Sequence, residues 1–189
     1  MSYTFTRTIP TSEPYDFVVA GGGPAGCAAA ISAARLGART LVVEAMGCLG
    51  GMGTSGLVTA FDPMANGERN LVGGVMLEFV ETLYERGQLP PQVTPDFWRR
   101  DYHCWTQFHA ESLKKLLDDL MADAGVEVRF FTTVIDAAAT DNTVDGIIIN
   151  NIEGLQFVPA RTFADCTGDA VLDGIDFIGE NQVQVGFSI

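Results

Sequence analysis

The chain has 189 residues, 47% of them hydrophobic, and its 24 acidic and 11 basic side chains give a formal charge of −13 at pH 7. This length fits one ordinary domain with enough apolar residues for a core. Because such an acidic surface repels phosphate backbones and anionic lipids, we expect neither nucleic-acid nor membrane partners. No run approaches the roughly 18 apolar residues of a membrane span, nor does the N-terminus carry a signal-peptide pattern, so we expect a cytoplasmic protein.

The cysteines, Cys27, Cys48, Cys104 and Cys166, form neither a CxxC pair nor a Cys/His set with zinc spacing. We therefore expect ordinary reduced thiols and no metal site.

The first elements predict a βαβ unit. Residues 1–14 are polar, contain two prolines and are interpreted as a leading arm. The run "YDFVVA" is typical of a buried strand, "PAGCAAAISAARLG" of a helix with Gly37 at its end, and "ARTLVVE" of a second strand. A strand, a turn, a helix and a strand within about 30 residues indicate parallel pairing.

The turn of this unit carries the spacing G-x-G-x-x-G. Gly21 permits the tight turn, Gly23 lets the backbone approach a pyrophosphate, and Gly26 lets the helix pack closely on the strand. The helix N-terminus offers N–H groups to the phosphates, so no lysine is needed. Glu44 ends the second strand and would accept hydrogen bonds from ribose hydroxyls. A plain structural turn and a solvated acid are the alternatives, and the unit alone does not distinguish FAD from NAD.

The later elements complete the prediction. A glycine-rich loop with a possible short helix follows Glu44. The segment "LVGGVMLEFVETLYERG" predicts a helix ending at Gly87, the segment 88–108 is not assigned, and "AESLKKLLDDLMADAG" predicts a helix ending at Gly125. The run "VEVRFFTTV" predicts one strand. Short β runs over about 134–162 predict an antiparallel meander that returns to a final buried strand, "TFADC". The order indicates an α/β nucleotide-binding domain over 15–189 with an insertion at about 60–109.

Three motifs in order resemble the FAD-dependent oxidoreductases of the glutathione-reductase-like superfamily. The stretch from "YDFVVAGGGPAGC" to "GCLGGMGTSGLV" is similar to their N-terminus, and most similar to the branch related to fumarate reductase and succinate dehydrogenase flavoproteins. The segment "ESLKKLLDDLMADAGVEVRFFTTVIDA" resembles the helix and strand that lead into their meander. "FADCTGD" resembles their ATGD element, with Cys166 in place of the usual alanine.

This resemblance implies FAD as the cofactor and a Rossmann-like FAD-binding domain with a helical insertion and a β-meander. Glu44 would bind the adenosine ribose, and the Val134 backbone would touch the adenine. The pyrophosphate would lie on Gly21, Gly23, Pro24, Ala25 and Gly26. Gly50, Gly51 and Met52 would pass close to the phosphates and ribityl chain, and Thr167, Gly168 and Asp169 would lie where the last strand returns to the cofactor.

The middle segment assigns no catalytic side chain. His103, Cys104, Trp105 and His109 lie close together, and a histidine acid/base is one interpretation, whereas packing or surface roles are the other. Arg99 and Arg100 are a candidate carboxylate site or a solvated pair.

Only about twenty residues follow the TGD element, so we expect the substrate domain on a missing C-terminal half or on a partner chain. The predicted function is an oxidoreductase, or its FAD-binding portion, that passes a hydride between flavin and a small organic substrate. A non-catalytic or truncated dinucleotide-binding module is the first alternative. The second is a tRNA-modifying flavoprotein, whose glycine motif also reads GGGxAGC, although the acidic charge argues against it.

Overall fold

The chain begins with the predicted βαβ unit. The structure, a computed structural model, describes residues 3–100, 104–141 and 143–169. Strand β1 spans Tyr15–Ala20, helix α1 spans Pro24–Arg35 and strand β2 spans Thr40–Val43. The two strands pair in parallel, with Val18 opposite Leu41 and Val19 opposite Val42. The prediction of a parallel βαβ start is confirmed.

The elements after β2 include several very short strands and helices as well as long ones. A single 3₁₀ turn at Gly51–Gly53 is the short helix of the glycine-rich loop. The elements that follow are β3 (Ala60–Phe61), α2 (Gly74–Glu85), α3 (Pro95–Trp98), β4 (Thr106–Gln107), α4 (Ala110–Ala124), β5 (Glu127–Arg129), β6 (Thr133–Thr140), β7 (Thr143–Asn151) and β8 (Gly154–Asp165). Gly125 ends α4 in the left-handed conformation, as a helix C-terminus commonly does.

Strand β8 joins the two parts of the sheet. Hydrogen bonds link six strands in the order β5-β2-β1-β8-β7-β6. The residues 154–159 of β8 pair antiparallel with β7, and the residues 160–165 pair parallel with β1. The predicted meander is therefore confirmed, but its last strand and the "final buried strand" are one continuous strand and not two.

Two apolar clusters cover the two faces of the parallel strands. Val19 and Val42 lie in one cluster with buried residues of helices α1, α2 and α4, and α4 contributes the leucines Leu113, Leu116, Leu117 and Leu120. Val18, Leu41 and Val43 point the other way and pack against Ile147, Ile149 and Val158 of the meander. This alternation follows from the two-residue period of a strand. The helices, the parallel strands and the meander thus form three layers, and the α/β class with a helical insertion is confirmed.

The insertion carries a small core of its own. Strands β3 and β4 pair antiparallel, and α2 and α3 lie between them in the chain. The fully buried Trp98 packs in a cluster with Met64, Val80 and Val93.

The predicted strand "VEVRFFTTV" is interrupted. Strand β5 ends at Arg129 and β6 begins at Thr133, because Phe131 has φ +49°, which no strand residue adopts. The break lets β5 remain beside β2 while β6 turns into the meander.

The leading arm runs along β8. The N–H of Phe157 donates to Pro10 O over 2.9 Å, and the N–H of Ser12 donates to Phe157 O over 2.9 Å. The arm therefore covers the part of β8 that β1 is too short to reach.

Candidate cofactor-binding site

Three glycine-bearing segments meet where the parallel strands end. The N–H of Gly21 donates to Val43 O, the N–H of Cys166 donates to Ala20 O, and the N–H of Gly50 donates to Gly22 O, each over 2.8 Å. These bonds join the segments that follow β1, β2 and β8. In open α/β sheets the carboxyl ends of the strands are where ligands bind.

Gly21 and Gly26 are required by packing. Gly21 has φ +94°, and a Cβ there would lie 2.6 Å from the carbonyl oxygen of Cys166. A Cβ on Gly26 would overlap the carbonyl oxygen of Gly21 and press on Val19. The turn and the close helix-strand approach thus have the physical causes that the motif predicts.

Gly23 is open. Among the described residues, no atom beyond its two chain neighbours lies within 4 Å of a Cβ built on Gly23, and its φ of −66° suits any residue. Gly23 is the N-cap of α1, no side chain caps the helix, and its first turn contains no acid. The first N–H groups of a helix lack intrahelical partners and carry the positive end of its dipole. Free space in front of such an N-terminus accommodates a phosphate.

Glu44 is a buried acid beside this opening. It is 7% exposed and follows β2 directly. Its Oε2 accepts the N–H of Gly22 over 2.6 Å, and its Oε1 accepts the N–H of Met46 over 2.7 Å. Since each carboxylate oxygen has two lone pairs, both can accept a further hydroxyl proton. The geometry therefore holds a carboxylate at the place where ribose hydroxyls are expected.

The second glycine segment lies on the first. A Cβ on Gly51 would be 3.0 Å from the Cα of Gly23, and Gly50 has φ +99°. Thr54, almost fully buried, donates from Oγ1 to Leu49 O over 2.6 Å and fixes the turn. Met52 is half exposed on the outer side of this turn. Gly50 and Gly51 thus border the opening at Gly23.

The segment after β8 forms the third wall. Asp165 Oδ1 accepts from the backbone N–H and the hydroxyl of Thr167, over 3.0 and 2.7 Å. The Thr167 hydroxyl accepts the N–H of Asp169 over 3.2 Å, and Gly168 has φ +80°. The resulting turn lies directly against Gly21, since a Cβ on Gly21 would be 2.9 Å from Thr167 Cα.

Val134 lies apart from these walls. Val134 is part of β6 and pairs with Ile149 of β7, and its side chain is buried between the meander and the parallel strands. Its link to the site runs through Thr132, whose N–H donates to Glu44 O over 3.0 Å. The adenine contact expected of the Val134 backbone stays a prediction.

The candidate catalytic residues lie in surface or packing positions. Arg99 donates to Glu81 over 3.0 Å, and His109 is the exposed N-cap of α4. Cys104 is buried and Trp105 is half exposed. His103 and the residues after Asp169 lie outside the described part of the chain.

Sequence reasoning missed the role of Gly22. A Cβ there would lie 2.6 Å from Leu49 Cδ2 and 2.9 Å from Glu44 Oε2. Its carbonyl oxygen accepts from Gly50 N and also from the Cys27 thiol over 3.1 Å. Both the N–H and the carbonyl oxygen of Gly22 are thereby fixed by hydrogen bonds. The signal was the third consecutive glycine, which the G-x-G-x-x-G spacing does not itself require.

The thiols of Cys27 and Cys166 are protonated at neutral pH. Burial raises the pKa of Cys27 to about 12, and burial with the neighbouring Asp165 raises the pKa of Cys166 to about 11. Cys48 is half-buried, with its sulfur 3.2 Å from the Ser55 hydroxyl. Cys27 is thus a core residue, and no disulfide bond joins cysteines within the described residues.

The described ranges 3–100, 104–141 and 143–169 contain neither a cluster of metal-ligating side chains nor a membrane-spanning helix. No group of three or more His, Cys, Asp or Glu residues there could hold a metal ion. Within the same ranges, no helix has the length and apolar character needed to cross a membrane.

An uncapped helix N-terminus behind an open glycine, beside a buried carboxylate, defines an α/β domain that binds a dinucleotide. The sequence profile described as FAD dependent oxidoreductase matches residues 16–173. The chain therefore belongs to the FAD-dependent oxidoreductase family, and FAD is its cofactor.

Several known proteins are similar to this chain in sequence or in structure. Dihydrolipoyl dehydrogenase of Trypanosoma brucei brucei is 57% identical over 47 residues, which are 25% of this chain and 10% of that protein. A geranylgeranyl bacteriochlorophyll reductase-like protein from Thermoplasma acidophilum has a TM-score of 0.59 and 22% identity over 81% of this chain and 39% of its own. Thermovibrio ammonificans THI4 has a TM-score of 0.56 and 19% identity over 83% of this chain and 58% of its own. These structures share the fold, and the chain spans less than two thirds of each of these proteins.

The residues present fit FAD. The opening at Gly23 and the N-terminus of α1 would hold the diphosphate, and Glu44 would hold the ribose hydroxyls. The redox chemistry belongs to the flavin ring, which accepts or returns a hydride when FAD is bound.

Proposed function

We propose that this chain is the FAD-binding module of an oxidoreductase that passes a hydride between flavin and a small organic substrate. The observation that carries the proposal is the space that the described residues leave open in front of Gly23, at an uncapped helix N-terminus. The phosphates are held by backbone N–H groups, which suits a chain with a charge of −13. A basic pocket is not needed for this mode of binding.

The cofactor residues of the proposal are those that the sequence predicts. Glu44 binds the ribose, the Val134 backbone contacts the adenine, and Gly50, Gly51 and Met52 border the phosphates and ribityl chain. Gly21, Gly23, Pro24, Ala25 and Gly26 hold the pyrophosphate, and Thr167, Gly168 and Asp169 close the site from β8. The contacts among the three glycine-bearing segments support the members of this set that lie after β1, β2 and β8.

The branch related to fumarate reductase and succinate dehydrogenase flavoproteins is the finer assignment that we propose. It is supported by "GCLGGMGTSG" after Glu44 and by the "CTGD" turn. In this proposal residues 15–189 form one FAD-binding domain behind the arm 1–14. The substrate domain comes from a longer chain or from a partner chain. The protein is cytoplasmic, and its partners include neither nucleic acid nor membrane.

FAD titration of Gly23→Val tests the proposal. The side chain would occupy the opening, so we expect FAD uptake to be lost while the melting temperature stays within a few degrees of the wild type. Gly73→Val is the matched control, because Gly73 is also an open, uncapped helix N-cap, at α2, with φ −141°. Cys27→Ala should bind FAD almost normally, because Gly50 N still holds the Gly22 carbonyl.

The loaded wild type should be yellow, and a reductant should bleach its flavin bands. Wild-type affinity in Gly23→Val would contradict the site. A chain that takes up FAD but is not bleached would instead support the alternative of a non-catalytic module.

A further inference from the structure

Phe131 has a backbone conformation that suits glycine. Its φ is +49°, and 73% of the residue is exposed. Leu57 and Asp141 are the other described non-glycine residues with positive φ. Asp141 is a polar residue at the hairpin turn between β6 and β7, where such residues are common. A large exposed aromatic residue in this conformation is an outlier, and outliers of this kind concentrate at ligand sites.

A turn alone does not require this ring. Phe130 packs against the helical core, and Thr132 is 1% exposed, so both neighbours of Phe131 face inward. A left-handed residue between them lets both do so and directs its own side chain outward. Glycine or asparagine would serve with less strain. The turn geometry therefore accounts for the backbone conformation but not for the phenyl ring.

The backbone of Phe131 is linked to the carboxylate of Glu44 through Met46. The N–H of Phe131 donates to Met46 O over 3.2 Å, and Met46 N–H donates in turn to Glu44 Oε1. The ring covers Gly47, where a Cβ would overlap its Cζ atom. Met46 is also exposed, at 53%. An exposed apolar surface of Phe131, Met46 and Gly47 thus begins within three residues of the acid.

We infer that Phe131, together with Met46, forms the apolar seat on which the adenine of FAD stacks. This inference rests on the proposed function, because it takes Glu44 as the ribose-binding acid. The base is bonded directly to that ribose, so it must lie close to the carboxylate. Aromatic rings bind bases through their faces, and a methionine side chain adapts to such a surface. The Val134 backbone would serve the edge of the same base.

Phe131→Gly separates binding from stability. It removes the ring and also relieves the backbone, so we expect a melting temperature equal to or above that of the wild type. FAD should nevertheless bind about tenfold more weakly, the size of an average base-aromatic stack. Phe131→Trp keeps a stacking face and should retain nearly full affinity.

Asp141→Gly is the matched control, since it relieves the same backbone strain in a turn far from Glu44 in the sheet order. It should leave the affinity for FAD unchanged. ADP, which carries the adenine but no flavin, should show the same loss as FAD in Phe131→Gly.

Equal affinity of the wild type and Phe131→Gly for FAD would overturn the inference, and so would a loss that FAD shows but ADP does not. If the wild type binds neither FAD nor ADP, the proposed function fails first, and the base site fails with it.

Discussion

The edge of the sheet where the parallel strands end, here called the cofactor edge, and the insertion are packed in different ways. At the edge, backbone groups of glycines 21, 22, 26 and 50 contact one another, and side chains there would collide. In the insertion, bulky side chains do the packing, with Trp98 fully buried among Met64, Val80 and Val93. The edge carries the candidate chemistry, and the insertion carries a separate small core.

This difference predicts where mutations act. At most glycines of the edge, a side chain would change both the backbone geometry and cofactor binding. At Gly23, where the described residues leave space for a side chain, a substitution should affect mainly cofactor binding. Truncations in the insertion remove apolar contacts and should change the free energy of unfolding while leaving the cofactor alone. The following experiments test this separation.

Trp98→Ala should have the largest effect. Removing a fully buried indole costs about 3 to 5 kcal/mol of unfolding free energy, measured by urea titration. FAD affinity of the folded protein should stay within about twofold of the wild type. Trp98→Phe should cost far less, because the buried Nε1 has no hydrogen-bond partner among the described residues. If folded Trp98→Phe lost FAD binding, the two regions would not be separate.

Gly26→Ala should destabilise the edge by about 3 kcal/mol, because its methyl group would overlap the Gly21 carbonyl oxygen. Gly23→Ala, three residues earlier, should cost at most about 1 kcal/mol, because φ −66° suits alanine and the methyl group meets no described atom, although alanine is a poorer N-cap than glycine. Urea unfolding of the pair measures both values. Equal costs at the two positions would contradict the packing described at this turn.

Glu44→Gln should weaken FAD binding at least tenfold and cost about 1 to 2 kcal/mol of stability. The amide NH₂ would face an N–H of Gly22 or Met46, where the carboxylate accepts two bonds. Glu81→Gln is the control, because Glu81 forms an exposed ion pair with Arg99, and such pairs contribute little. Isothermal titration with FAD and thermal melts of both variants give the comparison. If Glu81→Gln lost as much FAD affinity as Glu44→Gln, the assignment of Glu44 to the cofactor site would be contradicted.

The smallest effect concerns Cys27 and pH. Its pKa of about 12 in the folded state exceeds that of an unfolded thiol, so above about pH 9 the unfolded chain loses a proton that the folded chain keeps. Stability should therefore fall with rising pH, with Cys27 contributing up to about 1.4 kcal/mol per unit. Urea unfolding between pH 8 and 10 should show a shallower slope for Cys27→Ser, which keeps a donor for the Gly22 carbonyl. Identical slopes would show that the thiol is not held protonated.

Local patterns predicted much of this molecule. The βαβ start, the amphipathic helix with Leu113 and Leu117 on one face, and the left-handed Gly125 each depend on neighbours within a few residues. The break at Phe131 was missed, because "VEVRFFTTV" has strand propensity throughout and only the path from β5 into the meander imposes the turn. The double role of β8 was missed for a similar reason, since its two partners are far away in the chain.

The sequence by itself determined the class of the domain, because turn geometry and helix N-termini are local consequences of residue type and spacing. For the same reason it predicted the glycines and the acid that would hold a dinucleotide. Only the tertiary structure decided that Glu44 accepts the N–H of Gly22 and that Gly50 donates to the Gly22 carbonyl oxygen. It also decided that Phe131 is exposed next to this segment. Those contacts join residues that lie apart in the chain, and only the packing of the sheet, the helices and the meander brings them within hydrogen-bond distance.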